Sequence, residues 1–269
     1  MNYQALLSHP VFKRTLVCAA LAAAYSSSWA LPVFTLNPAS LGGTSNVTAD
    51  NILLSDFSNV TFTGATTFSE SGYLSVTGFQ LGGSNIASDG GLNSNYSLYF
   101  KISATGHETS GSSSTNLTTT PTFGVFDTLT YTLFGASGNT TFGFAGNTPT
   151  ATGGAPTILA TGALAGGGTN SVFTVPASGG AGFSPGANAQ VTFNTVLNSF
   201  FVAPSPFYNM AFTAFVNNSQ TITKTDTGFN INNGGGNLSF AAPVPEPETY
   251  ALMLAGLGVV GFVARRRKA

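Results

Sequence analysis

The sequence predicts an all-β protein, an antiparallel β-sandwich or barrel-like domain with long Gly/Ser/Thr-rich loops and a short apolar helical segment at each terminus. Three observations carry this reading. Several stretches alternate apolar and polar residues with period two, the pattern of a strand buried on one face. Glycine pairs and an Asn-Gly-Gly-Gly run punctuate those stretches at the spacing of short antiparallel strands. Charged residues make up only 6% of the 269 residues, while 23 phenylalanines supply a core; an ordinary globular domain carries roughly 25% charge. Disorder goes with low hydrophobicity and high charge, so this balance argues for a folded chain solvated by Ser, Thr, Asn and Gly.

At the N-terminus, Lys13 and Arg14 precede an apolar run over residues 16–24, and Ser28-Trp29-Ala30 follows with small residues at its first and third places. That is the anatomy of a secretory signal peptide, with cleavage expected between Ala30 and Leu31. The run is too short to span a bilayer, which takes ~20 apolar residues. Residues 1–30 are therefore a targeting segment outside the fold. The single cysteine, Cys18, lies within it, and bulky Val17 before it argues against a lipoprotein site. Cleavage leaves a mature chain without a thiol for disulfides, catalysis or metal binding.

Residues 31–243 are expected to form the β-rich extracellular domain. Val60 and Phe62, then Leu74 and Val76, alternate with Thr or Ser. In residues 95–103, Tyr96, Leu98, Phe100 and Ile102 share one face, while Ser97, Tyr99, Lys101 and Ser103 share the other. Leu129, Tyr131 and Leu133 oppose Thr128, Thr130 and Thr132 in the same way. Residues 191–202 place Phe193, Val196, Leu197 and Phe200 at helical spacing, yet β-branched and aromatic residues dominate, so a strand is expected with one helix left open. Residues 210–216 are apolar on both faces and read as a central strand covered on both sides. The segments 229–232 and 237–240 flank Asn233-Gly234-Gly235-Gly236, which reads as a hairpin turn because glycine tolerates positive φ. Residues 109–122, mostly Ser and Thr, and 147–189, rich in Gly, Ala, Pro and Thr, read as long loops.

The C-terminus opens with Val244-Pro245-Glu246-Pro247-Glu248, continues through an apolar stretch, and closes on Arg265, Arg266, Arg267 and Lys268. Each proline lacks an N–H and biases its predecessor toward extended geometry, so the segment begins as an accessible extended peptide. Residues 251–264 make a helix of about 21 Å at ~1.5 Å per residue, short of the ~30 Å hydrocarbon core. Gly256, Gly258 and Gly261 weaken that helix, and the four cations resist translocation. Tripeptide, short apolar span and basic cluster over residues 244–269 resemble the PEP-CTERM sorting domain of Gram-negative bacteria. The resemblance implies that an exosortase-type membrane protease recognises Pro245, Glu246 and Pro247 and removes the tail, with Arg265 to Lys268 as a membrane-stop cluster. It further implies export through the inner membrane, transient anchoring there, and delivery to the cell surface or extracellular matrix.

Candidate chemistry is sparse. Within residues 31–243, Lys101 and Lys224 face seven carboxylates, a net charge of about −5 that offers no electrostatic footprint for nucleic acid. His107, the one histidine of that stretch, stands beside Glu108, and no Gly-x-Ser-x-Gly, His-Glu-x-x-His or Walker pattern occurs. His107 therefore reads as a solvated strand end, and neither a catalytic residue nor a cofactor is expected. Carboxylates of Asp50, Asp56, Asp89 and Asp127 suit calcium chemically, but none sits in an Asp-x-Asp loop, so they read as turn residues and no metal site is expected. A sugar site would want an exposed ring. Trp29 leaves with the signal peptide, and Tyr99 is the candidate glycan contact because it points opposite Tyr96, Leu98 and Phe100; cross-strand packing competes for the same ring.

Three further segments, Phe34-Thr35-Leu36-Asn37-Pro38, Val60-Thr61-Phe62-Thr63-Gly64 and Asn95-Tyr96-Ser97-Leu98-Tyr99-Phe100, resemble the flocculation-associated PEP-CTERM proteins of floc-forming bacteria. The resemblance implies a non-catalytic surface or matrix protein that supports flocculation or biofilm formation together with exopolysaccharide. A polysaccharide-binding module is the alternative, and a secreted polysaccharide-active enzyme is a third reading held back by the scarcity of titratable residues.

Overall fold

The computed structural model describes residues 31–110, 122–172, 186–217 and 221–241, all within the compact unit Leu31–Ala269. Strand follows strand through the described chain: β1 (Phe34–Leu36), β2 (Val47–Ala49), β3 (Asn51–Phe62), β4 (Thr67–Leu81), β5 (Ser84–Asn85), β6 (Tyr96–Ser110), β7 (Thr122–Ser137), β8 (Thr141–Ala145), β9 (Thr148–Thr152), β10 (Thr157–Val172), β11 (Gly186–Thr192), β12 (Asn194–Thr195), β13 (Phe201–Ala203), β14 (Met210–Val216), β15 (Ile222–Thr225) and β16 (Gly228–Phe240). The described residues hold no α-helix, and only a single 3-10 turn at Ala39–Leu41. The expected signal and sorting helices lie outside the described residues.

Eight long strands pair antiparallel in the order β11, β14, β16, β3, β4, β6, β7, β10, and β10 pairs back onto β11. The sheet therefore closes on itself, which resolves the sandwich-or-barrel expectation as a barrel. Closure runs through Leu164↔Val191, Thr169↔Asn188 and Ser171↔Gly186, with register shifts around Gly166 on β10. Bulges of this kind let a strand bend enough to turn a sheet into a cylinder.

One end of the cylinder, where β3 begins, is filled by the small sheet β13-β1-β2. Phe34, Leu36, Val47 and Phe201 from that sheet pack with Leu41, Phe193 and Phe200 into the main core. Rings meet edge to face here, Phe34 to Phe240 at 5.1 Å and Phe193 to Phe240 at 4.9 Å, the arrangement that aromatic quadrupoles favour. A smaller cluster, Val60, Phe68, Ala104, Phe126, Phe229 and Ile231, fills the other half of the barrel.

The period-two segments became barrel strands with the faces expected of them. Five expectations need correction, one of them only at its ends. Residues 147–189 are not one loop, since β9, β10 and β11 occupy most of the stretch and only 173–185 fall outside the described residues. Of residues 109–122, the first two end β6 and the last starts β7, while 111–121 lie outside the described residues. Asn233 to Gly236 do not turn: β16 runs straight through them, with Asn233 at φ 65° in a bulge and Gly235 and Gly236 paired to Ser55 and Leu54. Neighbouring strands on both sides of β16 supply ladder partners that outweigh the local preference for a turn. β14 is not covered on both sides, because Phe212 and Val216 are 47% and 75% exposed on the outer face. Residues 191–202 form neither one strand nor a helix, but the end of β11, then β12, and a turn into β13 closed by Phe200 N–H to the Leu197 carbonyl at 3.0 Å.

Candidate functional site

The barrel interior carries a polar group in an otherwise apolar wall. β3 presents Ile52, Leu54, Asp56, Ser58 and Val60 on alternate positions, and all five are buried. Its partner β4 sets Leu74 opposite Asp56, Gly72 opposite Ser58, and Glu70 opposite Val60. Ser58 thus stands between two carboxylate-bearing positions, and its hydroxyl donates to Glu70 Oε1 at 2.8 Å. Gly72 makes that close approach possible: a Cβ there would meet the Phe57 carbonyl oxygen and come within 2.5 Å of Ser58 Cα.

Asp56 is 3% exposed, and its Oδ1 has no hydrogen-bond partner. Burial pushes its carboxyl well above the ordinary carboxylate range, repulsion from Glu70 adds to the rise, and the Ser58 hydroxyl opposes it. Glu70 is raised for the same first reason, with Ser58 again opposing. Both line a cavity of about 80 Å³ whose walls include Phe68, Phe100, Phe126, Tyr131 and Phe229. The Tyr131 hydroxyl is held by the Thr192 carbonyl at 2.7 Å, and burial raises its pKa. Two carboxyl groups with raised pKa could exchange protons with a bound molecule. The space limits which molecule: an engineered protein cavity that binds benzene has ~150 Å³, about twice this volume, and a pyranose ring is larger than benzene.

The outer wall holds a second feature. Phe57, Tyr73, Tyr99 and Phe134 form a row across β3, β4, β6 and β7, with Tyr99 stacked on Phe134 at 5.5 Å. The hairpin β8-β9 folds over this row and sets Phe142 against three of its rings, Phe57 at 5.6 Å, Tyr73 at 6.0 Å and Tyr99 at 5.4 Å. Tyr99 does point away from Leu98 and Phe100, but it is 6% exposed beneath that hairpin. It is therefore a packed ring in this structure and not an open platform. Burial, then the nearby Tyr73, raises its pKa.

The remaining sequence candidates are dispersed. His107 sits near the end of β6 and pairs with Asp127 at 2.8 Å, both side chains nearly half exposed. Asp50 Oδ2 accepts the Gly82 N–H at 2.7 Å, and Asp89 Oδ1 accepts those of Gly91 and Leu92 at 3.0 and 3.3 Å, both as turn residues. Leu31 is 44% exposed at the start of the described chain. Ala30, Pro245, Glu246, Pro247, Arg265, Arg266, Arg267 and Lys268 lie outside the described residues. No helix among the described residues is long and apolar enough to cross a membrane.

The pairing of Asp56 with Glu70 escaped the sequence reading, although its signal is present. Asp56 occupies the same phase of β3 as Ile52, Leu54 and Val60, and Glu70 the same phase of β4 as Phe68 and Leu74. A carboxylate in the apolar phase of an amphipathic strand is buried by geometry.

Residues 243–268 match the family model of the PEP-CTERM protein-sorting motif. No curated protein and no solved structure matches the chain. The motif implies recognition and processing by an exosortase, export, and a location at the cell surface or outside the cell.

Proposed function

We propose that this chain, carrying a PEP-CTERM sorting motif, is a non-catalytic matrix protein that supports flocculation or biofilm formation together with exopolysaccharide at the surface of a Gram-negative bacterium. In this reading the signal peptide is cut between Ala30 and Leu31. The tail of residues 244–269 holds the protein transiently in the inner membrane, with Arg265 to Lys268 as the stop, until the protease that reads Pro245, Glu246 and Pro247 removes it.

The observation that carries the matrix role is a patch of hydroxyls on the outer barrel wall. Ser71 pairs with Ser103 and Ser103 with Thr130, while Ser69 pairs with Thr105 and Thr105 with Thr128. Directly opposed residues share a face, so these six side chains form one surface across β4, β6 and β7. Thr105 and Thr128 hydroxyls lie 2.7 Å apart. Hydroxyls both donate and accept, which suits a polysaccharide whose own groups are hydroxyls, and low charge spares the contact a large desolvation cost. The aromatic row supports the alternative of a dedicated polysaccharide-binding module only if the β8-β9 hairpin lifts. The third reading, a polysaccharide-active enzyme, would need a site other than the interior cavity of about 80 Å³.

The test is twofold. Mass spectrometry of native protein from surface and medium is expected to find a C-terminus near Pro245 to Glu248, whereas an intact tail in the membrane fraction would refute sorting. Deleting the gene is expected to reduce aggregation under exopolysaccharide-producing conditions; unchanged aggregation would remove the matrix role.

A further inference from the structure

We propose that the barrel interior is a binding site for a small alkylammonium cation, with Asp56 and Glu70 as its anionic partners and the surrounding rings as its walls. The inference rests on the cavity alone and stands or falls independently of the matrix role.

Asp56 Oδ1 faces the interior of a protein in which its residue is 3% exposed, and it accepts no hydrogen bond. An ionised carboxylate in such a place costs several kcal/mol unless a donor or a counter-charge meets it. Ser58 meets Glu70 Oε1 and leaves Asp56 Oδ1 without a donor. Nor do the described residues offer a cation there: their lysines, Lys101 and Lys224, are both exposed. Apart from the two acids, the titratable side chain on the wall is Tyr131, whose hydroxyl already donates to the Thr192 carbonyl.

The wall chemistry then selects among ligands. Anions are repelled by two carboxyl groups. A hard divalent cation takes six or more oxygen ligands, whereas most of this wall is carbon: Phe68, Phe100, Phe126, Phe229, Leu74 and Val191 among others. An alkylammonium satisfies both halves of the site. Its N–H groups donate to Asp56 and Glu70, its alkyl carbons fill apolar space, and its charge is stabilised over ring faces. A cavity of about 80 Å³ is roughly half the volume of an engineered cavity that binds benzene, which suits a ligand of about three or four heavy atoms. Ethylammonium and dimethylammonium fit that limit, as does the amine head of a longer chain.

The experiment titrates ethylammonium chloride into the full-length chain by calorimetry against sodium chloride of equal ionic strength, at pH 8 and pH 5. Saturable binding at pH 8 is expected, weaker at pH 5 because burial raises both carboxyl pKa values and favours their protonated forms at the lower pH. The near-isosteric double variant Asp56→Asn/Glu70→Gln is expected to weaken it by about tenfold or more, which is ~1.4 kcal/mol per decade. Ala189→Leu, which fills the cavity from β11 and leaves both acids in place, is expected to abolish binding while the chain still unfolds cooperatively. No saturable heat, wild-type affinity in either variant, or saturation by calcium chloride in place of ethylammonium would each overturn the proposal.

Discussion

At the scale of single residues, the acids of the barrel interior govern how stability responds to pH. Asp56 and Glu70 both have carboxyl pKa values raised in the folded state, chiefly by burial. Between the ordinary carboxyl range and those raised values the native chain binds more protons than the unfolded chain, so stability falls as pH rises. The effect is ~1.4 kcal/mol for each unit by which each group is raised. Urea midpoints are therefore expected to be higher at pH 5 than at pH 8, and Asp56→Asn/Glu70→Gln should flatten that slope and stabilise the chain at pH 8. A wild-type midpoint that climbs from pH 5 to pH 8 would show that the pair is compensated in some other way. The sequence reading took Asp56 for a turn residue; instead it lies buried in the middle of β3, in the apolar phase of that strand. Its closeness to Glu70 was not legible, because it depends on the register of β3 against β4, which sets Gly72 opposite Ser58 and Glu70 opposite Val60.

At the scale of elements, the β8-β9 hairpin decides what the outer wall presents. Its two strands pair only with each other, so it is held to the barrel through side chains, above all Phe142 against Phe57, Tyr73 and Tyr99. Asn230 Nδ2 donates to Asn147 Oδ1 at 3.3 Å, a further tie at the hairpin tip. Phe142 is only partly buried, so Phe142→Ala should cost about 2 kcal/mol, below the ~3–5 kcal/mol of a fully buried ring. The same substitution should open Tyr73 and Tyr99 to acrylamide quenching of their fluorescence. Unchanged quenching would mean that the hairpin stays in place without its ring. Tyr99 illustrates what periodicity can and cannot report. It fixed the direction of the side chain correctly, but a covering element from residues 141–152 leaves no mark on the alternation of residues 95–103. The same limit hid the strands of 147–189, where Ala, Gly and Thr replace the bulky residues that usually announce a strand.

At the scale of the whole molecule, closure of the sheet is what shapes the protein. A sheet of this length left open would expose two edges with unpaired N–H and C=O groups, a template for edge-to-edge aggregation. Pairing β10 with β11 removes both edges at once. The strands that close the ring are the ones whose sequences are richest in small residues, and this has a physical reason. Gly162 on β10 lies so close to the Thr192 carbonyl and the Tyr131 ring that a Cβ would collide with both. Larger side chains there would hold the seam apart, so the composition that made this stretch look like a loop is what lets the barrel shut. Amide hydrogen exchange tests the point over the entire ring, since an amide bonded within a closed barrel opens only with the barrel. Amides of residues 187–191 and of residues 158–164 are expected to exchange as slowly as those of β3 and β4, with one shared opening free energy. If instead residues 187–191 exchange on the timescale of exposed turns while β3 and β4 stay protected, the seam is not paired in solution. The sheet would then be an open one, and the cavity that Asp56 and Glu70 share would lose the wall contributed by Ala187, Ala189 and Val191.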